Sequence, residues 1–314
     1  MDHKSLTKKL SNLTLSIRRR RQQRPAITIP KDDHENVRKR VLEGLTGIYR
    51  TLKESDDVYV TVKSSNGFLI QYEDLILEEV DGPLTTSIPR FFQPCSSQFL
   101  KEHPISPEST EAMEETQSYE RLWLSVHELR DYPLKGARFL CSWLALNFSE
   151  HWRVNGKEKA SLEMDFTKWT PTGFGELVDK EFHHTVYSSQ ERNTMKAWYI
   201  LEGYPHMMFT IAHSFKGREE YLLRGELLAI TAAMITRLRS GYLPEHTIIP
   251  VMLFSFMGGT QGRILQAYTN NEGLVIQKSK LYDFSTLENF REFINLFLRY
   301  LTSNAVGDTQ QTGR

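Results

Sequence analysis

The sequence predicts a mixed α/β protein, with a central mixed sheet flanked by helices in one body between a basic N-terminal arm and a polar C-terminal end. Two observations carry that reading. Apolar or alternating runs at Ala197–Leu201, Met207–Ala212, Thr247–Phe256, Arg263–Thr269 and Leu274–Lys278 have the length and composition of strands. Between the second and third runs lies a helical pattern from about Arg218 to Arg239, apolar on most sides, as in a helix buried against a sheet. The chain's 314 residues, 39% of them hydrophobic, can bury a core without disulfide or metal staples.

Residues 1–30 have weak periodicity and hold Lys4, Lys8, Lys9, Arg18, Arg19, Arg20, Arg21 and Arg24 against Asp2. Charge repulsion without apolar partners predicts a disordered arm of net charge +7, which leaves −7 for the rest of the chain. A single globular domain is expected over 31–302. It opens at Asp32 with Glu35 in capping-box spacing, and Val37, Val41, Leu45, Ile48 and Leu52 repeat as one helix face to near Lys53. Val58, Val60 and Val62 then alternate with polar or aromatic neighbours, Asn66-Gly67 supplies a turn, and Phe68–Tyr72 completes a hairpin. Residues 82–118 hold Pro83, Pro89, Pro94, Pro104 and Pro107 and end rich in glutamate, which predicts a long flexible loop. Ser106-Pro107 within it is a candidate phosphosite. Helical patterns return at 119–130 and 136–150.

In the last third, glutamates in the first turn of the 218–239 helix and arginines in its last turn suit the helix dipole, and Gly241 stands where a C-terminal stop belongs. Asn270 to Gly273 closes a strand pair. Ser285 and Glu288 form a capping box for a final helix, on which Leu287, Phe290, Ile294, Phe297 and Leu301 repeat. Residues 303–314 are polar and are expected to be disordered.

Two cysteines, Cys95 and Cys141, exclude a disulfide framework or a cysteine-rich zinc site. No run of eighteen apolar residues and no signal-peptide core occurs, so the sequence calls for no membrane partner and for a nuclear or cytoplasmic location. The sequons at Asn12 and Asn147 then carry no meaning.

Phe209-Thr-Ile-Ala-His-Ser-Phe-Lys-Gly217, Pro250-Val-Met-Leu-Phe-Ser-Phe-Met-Gly258, Arg263-Ile-Leu-Gln-Ala-Tyr268 and Lys278-Ser-Lys-Leu-Tyr-Asp-Phe284 resemble segments of fungal proteins. With the element order over 195–300, they resemble the core of the PD-(D/E)XK nuclease superfamily. The resemblance implies a restriction-nuclease-like core, with the N-terminal helix and hairpin added to it. It also implies metal-holding carboxylates and a lysine on the strand before the helix. Here Ala212 and Ser214 occupy those two positions, Lys216 lies at the strand exit, and Glu202 is the one stand-in for the preceding aspartate. The resemblance therefore implies a scaffold without its catalysis.

Other residues have the chemistry of sites. Arg18, Arg19, Arg20, Arg21 and Arg24 form a nuclear-import or polyanion-binding cluster, with import machinery, nucleic acid or an acidic protein as partner. Gly258-Gly-Thr-Gln-Gly262 before Arg263 resembles a phosphate loop but leads into a strand, so it reads as a turn. His183, His184, His206, His213 and His246 lack metal-site spacing, and His183-His184 would point to opposite sides of a strand. Asp165, Glu176, Asp179 and Glu181 cluster in sequence and, with Glu202, could serve acid–base chemistry if brought together. Glu181, Glu202 and His213 are the catalytic candidates. No motif calls for a cofactor or a metal. The expectation is a non-enzymatic binding or regulatory protein; the alternative is a divergent metal-dependent hydrolase using carboxylates from 165–202.

Overall fold

A computed structural model describes residues 31–60, 64–65, 67–77, 90–109, 114, 117–118, 132–187 and 191–310. The basic arm with Arg18–Arg21 and Arg24, and the expected helix at 119–130, lie outside the described residues. The contacts below fall within His34–Arg314, one compact unit.

The elements run α1 (Lys31–Glu54), β1 (Ser64–Ser65), β2 (Phe68–Asp74), β3 (Phe92–Gln93), α2 (Ser97–Glu102), α3 (Pro133–Ser149), α4 (Leu162–Phe166), β4 (Trp169–Gly173), α5 (Phe174–Leu177), α6 (Lys180–Val186), β5 (Arg192–Ile200) and β6 (Met207–His213). They continue with α7 (Arg224–Arg239), β7 (Val251–Met257), β8 (Gln261–Thr269), β9 (Gly273–Lys278), β10 (Tyr282–Asp283), α8 (Leu287–Leu301) and β11 (Asn304–Ala305). The main sheet has the order β1-β2-β9-β8-β7-β6-β5-β4, with β10 paired to β8. β6 and β7 are parallel with α7 as their crossover, β2 and β9 are parallel, and the other pairs are antiparallel. The expected α/β fold with a mixed sheet and flanking helices is present.

The central strands read as unbroken apolar runs because both faces are covered. Alternation sends Phe209, Ile211, Leu253, Leu265 and Ile276 to one core with α1, α6 and α7. Met208, Ala212, Phe254, Phe256 and Ile264 go to a second core with α3 and α8.

Four expectations need correction. The 82–118 stretch is not one loop. Within its described part Phe91 and Phe92 are buried, β3 pairs with β11, and Ser96 caps α2 by accepting from Phe99 N at 3.0 Å. Prolines and charges masked those two apolar anchors. The C-terminal end is not disordered over 303–310: Trp169 Nε1 donates to Ser303 O at 2.7 Å, and Thr309 O accepts from Thr247 N and Ile248 N. Its polar groups serve distant backbone, which composition cannot reveal. Tyr59 bridges to Leu223 rather than to β2, and among the described residues ahead of Gly67 (φ +78°) Ser64–Ser65 pair with β2. Finally, the last helix is capped by Thr286, one residue past the expected Ser285.

Candidate functional site

Beneath the start of α7 the sheet carries polar side chains in an otherwise apolar layer. Ile211 lies opposite Ser255 and Ser255 opposite Arg263, so β7 and β8 present Ser255 and Arg263 to α7 in one row. His213, two residues beyond Ile211, points to the same face. A Cβ on Gly225 would stand 2.7 Å from His213 Cε1 and 2.9 Å from Arg192 Cδ, so glycine is what lets the helix start this close to the strands.

Glu226, in the first turn of α7, meets Arg263 in a two-pronged ion pair: Nε donates to Oε1 at 2.9 Å and Nη2 to Oε2 at 2.5 Å. Both side chains are fully buried. Oε2 also accepts from Leu223 N at 2.7 Å, while Arg263 Nη1 donates to Tyr221 O at 2.9 Å and Arg218 O at 3.4 Å. Holding those carbonyls in a turn closed by the Arg218–Tyr221 bridge explains why the helix begins at Arg224 and not at Arg218.

Burial alone would raise the Glu226 carboxyl, but the charge and hydrogen bonds of Arg263, with help from His213 and Ser255, outweigh it and hold it below its ordinary value. Burial pushes the His213 imidazole down to about 4; Glu226 pulls it up, while Arg192 and Arg263 push it further down. At neutral pH the centre therefore holds a carboxylate, a guanidinium and a neutral imidazole. Because the guanidinium engages both carboxylate oxygens, a metal at Glu226 would have to displace Arg263. No cluster of three or more His, Cys, Asp and Glu able to hold a metal occurs among the described residues.

The catalytic candidates do not converge. Glu202 is exposed just past β5, at the Met207 end of β6, and His213 ends that strand about 20 Å away. Glu181, on α6, pairs with Arg239 at the far end of α7 from His213. Asp165 pairs with Lys157 at 3.1 Å, Glu176 accepts from Thr172 Oγ1 at 2.7 Å, and Asp179 lies 3.6 Å from Arg239. His183 and His184 lie on α6 rather than on a strand; the His183 ring contacts Gly175 O at 2.8 Å. His206 donates to Val306 O, and His246 meets Thr309 Oγ1. Ala212 is buried in β6, and Ser214 donates its N–H to Glu191 O. Gly258 to Gly262 is the expected turn between β7 and β8, with Gly258 at φ +59° and Gly259 at φ +93°.

Two buried carboxylates escaped the sequence reading. Glu226 lies two turns inside the helix expected from Arg218, with nothing local to mark it as a site. Glu163, on α4, accepts from Trp198 Nε1 at 3.3 Å, and burial raises its carboxyl. The signal for the first was Arg263, a charge opening an apolar strand that needs a buried partner. The chain matches no family model, no curated protein and no solved structure.

Proposed function

We propose that this chain is a binding or regulatory protein on a PD-(D/E)XK-like frame that lacks nuclease chemistry, and that Arg18–Arg21 and Arg24 contact a polyanion. One observation carries the reading: the carboxylate buried where the helix meets the strands is committed to Arg263, while Ala212 fills the strand position that the resemblance assigns to a metal-holding carboxylate. Phosphodiester hydrolysis on such a frame needs carboxylates free to hold a cation. The dispersed partners of Asp165, Glu176 and Glu181 weigh against the hydrolase alternative.

The test is incubation of the full chain with duplex and single-stranded DNA and RNA in magnesium or manganese. The expected result is binding that weakens steeply with salt, is lost on changing Arg18–Arg21 to alanine, and leaves every strand uncut. Metal-dependent cleavage abolished by Glu226→Gln would overturn the reading.

A further inference from the structure

A groove of about 320 Å³ opens where α1, α6 and the C-terminal end of α7 meet. That volume falls among small-ligand sites, which span roughly 300–1,000 Å³. One stripe of α1 forms its first wall. Thr46, Tyr49, Arg50 and Lys53 recur at three- and four-residue spacing, so they share a helix face. That face lies beside the stripe of Val41, Leu45, Ile48 and Leu52 that packs into the core. Arg50 and Lys53 are exposed, and neither has a hydrogen-bond or ion-pair partner among the described residues.

The opposite wall differs in kind. Arg239, on α7, pairs with Glu181 and lies 3.6 Å from Asp179, so its charge is already matched. Its guanidinium also stands over the Phe182 ring, 5.7 Å from the centroid. The floor is apolar: Tyr49 and Phe182 meet edge to face at 4.8 Å and 71°, and Ile235 lies with them in the core beneath. Around the groove three cations stand against two carboxylates, and the unmatched positive charge lies on the α1 wall.

We propose that this groove binds a planar aromatic carboxylate, with its ring against Tyr49 and Phe182 and its carboxylate facing Arg50 and Lys53. A guanidinium fork matches the two carboxylate oxygens, and the lysine adds a point charge beside it. The aliphatic stems of both side chains extend the apolar surface up the wall. An open groove favours a rigid ring over a flexible acyl chain, which loses rotamer freedom on binding without gaining enclosure. Aromatic neighbours on the floor also give a ring contacts beyond the area it buries. The groove lies at the opposite end of α7 from the Glu226–Arg263 pair, so the inference is independent of whether the chain cleaves or binds nucleic acid.

The experiment titrates the full chain with 2-naphthoate, the neutral 2-naphthamide, decanoate and acetate, and follows the ring resonances of Tyr49 and Phe182. Saturable shifts with naphthoate are expected, with naphthamide and decanoate at least about tenfold weaker and acetate without effect. Changing Arg50 and Lys53 together to glutamine should weaken naphthoate about tenfold, as expected for loss of charge-assisted contacts, and leave naphthamide unchanged. Both positions are exposed and unpaired, so the double variant keeps the fold. Unmoved ring resonances, equal binding of naphthoate and naphthamide, or naphthoate binding that the double variant leaves intact would overturn the proposal. Decanoate binding more tightly than naphthoate would overturn the aromatic ligand class.

Discussion

Replacing Arg263 with methionine is expected to destabilise the fold by about 3–5 kcal/mol, the usual cost of leaving a buried charge without its partner. The substitution roughly preserves the aliphatic stem but strands the Glu226 carboxylate inside the α7 face of the sheet, where both groups are fully buried. It also frees the Tyr221 and Arg218 carbonyls that the guanidinium holds, so the turn ahead of α7 loses its anchor. Glu226→Leu alone should do comparable harm by stranding Arg263. The double change Arg263→Met with Glu226→Leu should recover most of the loss, because an apolar pair of similar volume replaces a pair that paid a desolvation penalty on both sides. Urea denaturation of the four proteins measures this cycle. Additive losses in the double variant would mean that the two side chains act separately.

Acid should weaken the fold well above the range where carboxylates titrate. Burial holds both His206 and His213 at about 4, against 6.5 in the unfolded chain. Between those values the unfolded chain binds protons that the folded chain refuses, so stability falls as pH drops from about 6.5 to about 4. Each histidine accounts for about 3 kcal/mol over that window, and the slope near pH 5 approaches two protons. His246 shifts in the same direction, first through burial, and steepens the trend. Glu226 acts lower on the scale: its carboxyl is held below 4.5, so its contribution is present above that value and disappears only as pH falls through the depressed one. Unfolding free energies from pH 7 to pH 4 measure the slope, and His206→Gln should remove about half of it. A flat profile over this range would contradict the burial assigned to both rings.

The parts of this architecture visible in the sequence are those where one local pattern serves one role. β6, α7, β7, β8 and β9 announce themselves because strands covered on both faces and a helix buried nearly all round leave long apolar runs. The hairpin turn of Asn270 is equally local: its side-chain oxygen accepts from Glu272 N and Gly273 N a few residues away. The regions that misled are those whose partners lie far along the chain. Thr309 meets the 247–248 backbone, and Phe92 needs Ala305 beside it. The site follows the same division. His213 stood out as a candidate, but among the wrong companions. Arg263 and Glu226 are 37 positions apart, and only the β6–α7–β7–β8 path brings them together.

The account rests most on the unavailability of Glu226 to a metal ion. Manganese titration of the full chain, read by paramagnetic broadening at His213, tests this directly, because any ion held by Glu226 would lie within a few ångströms of that ring. The account predicts sharp His213 resonances at manganese concentrations that saturate ordinary carboxylate metal sites. Saturable broadening at His213 that disappears in Glu226→Gln would contradict it and return the chain to the metal-dependent hydrolases.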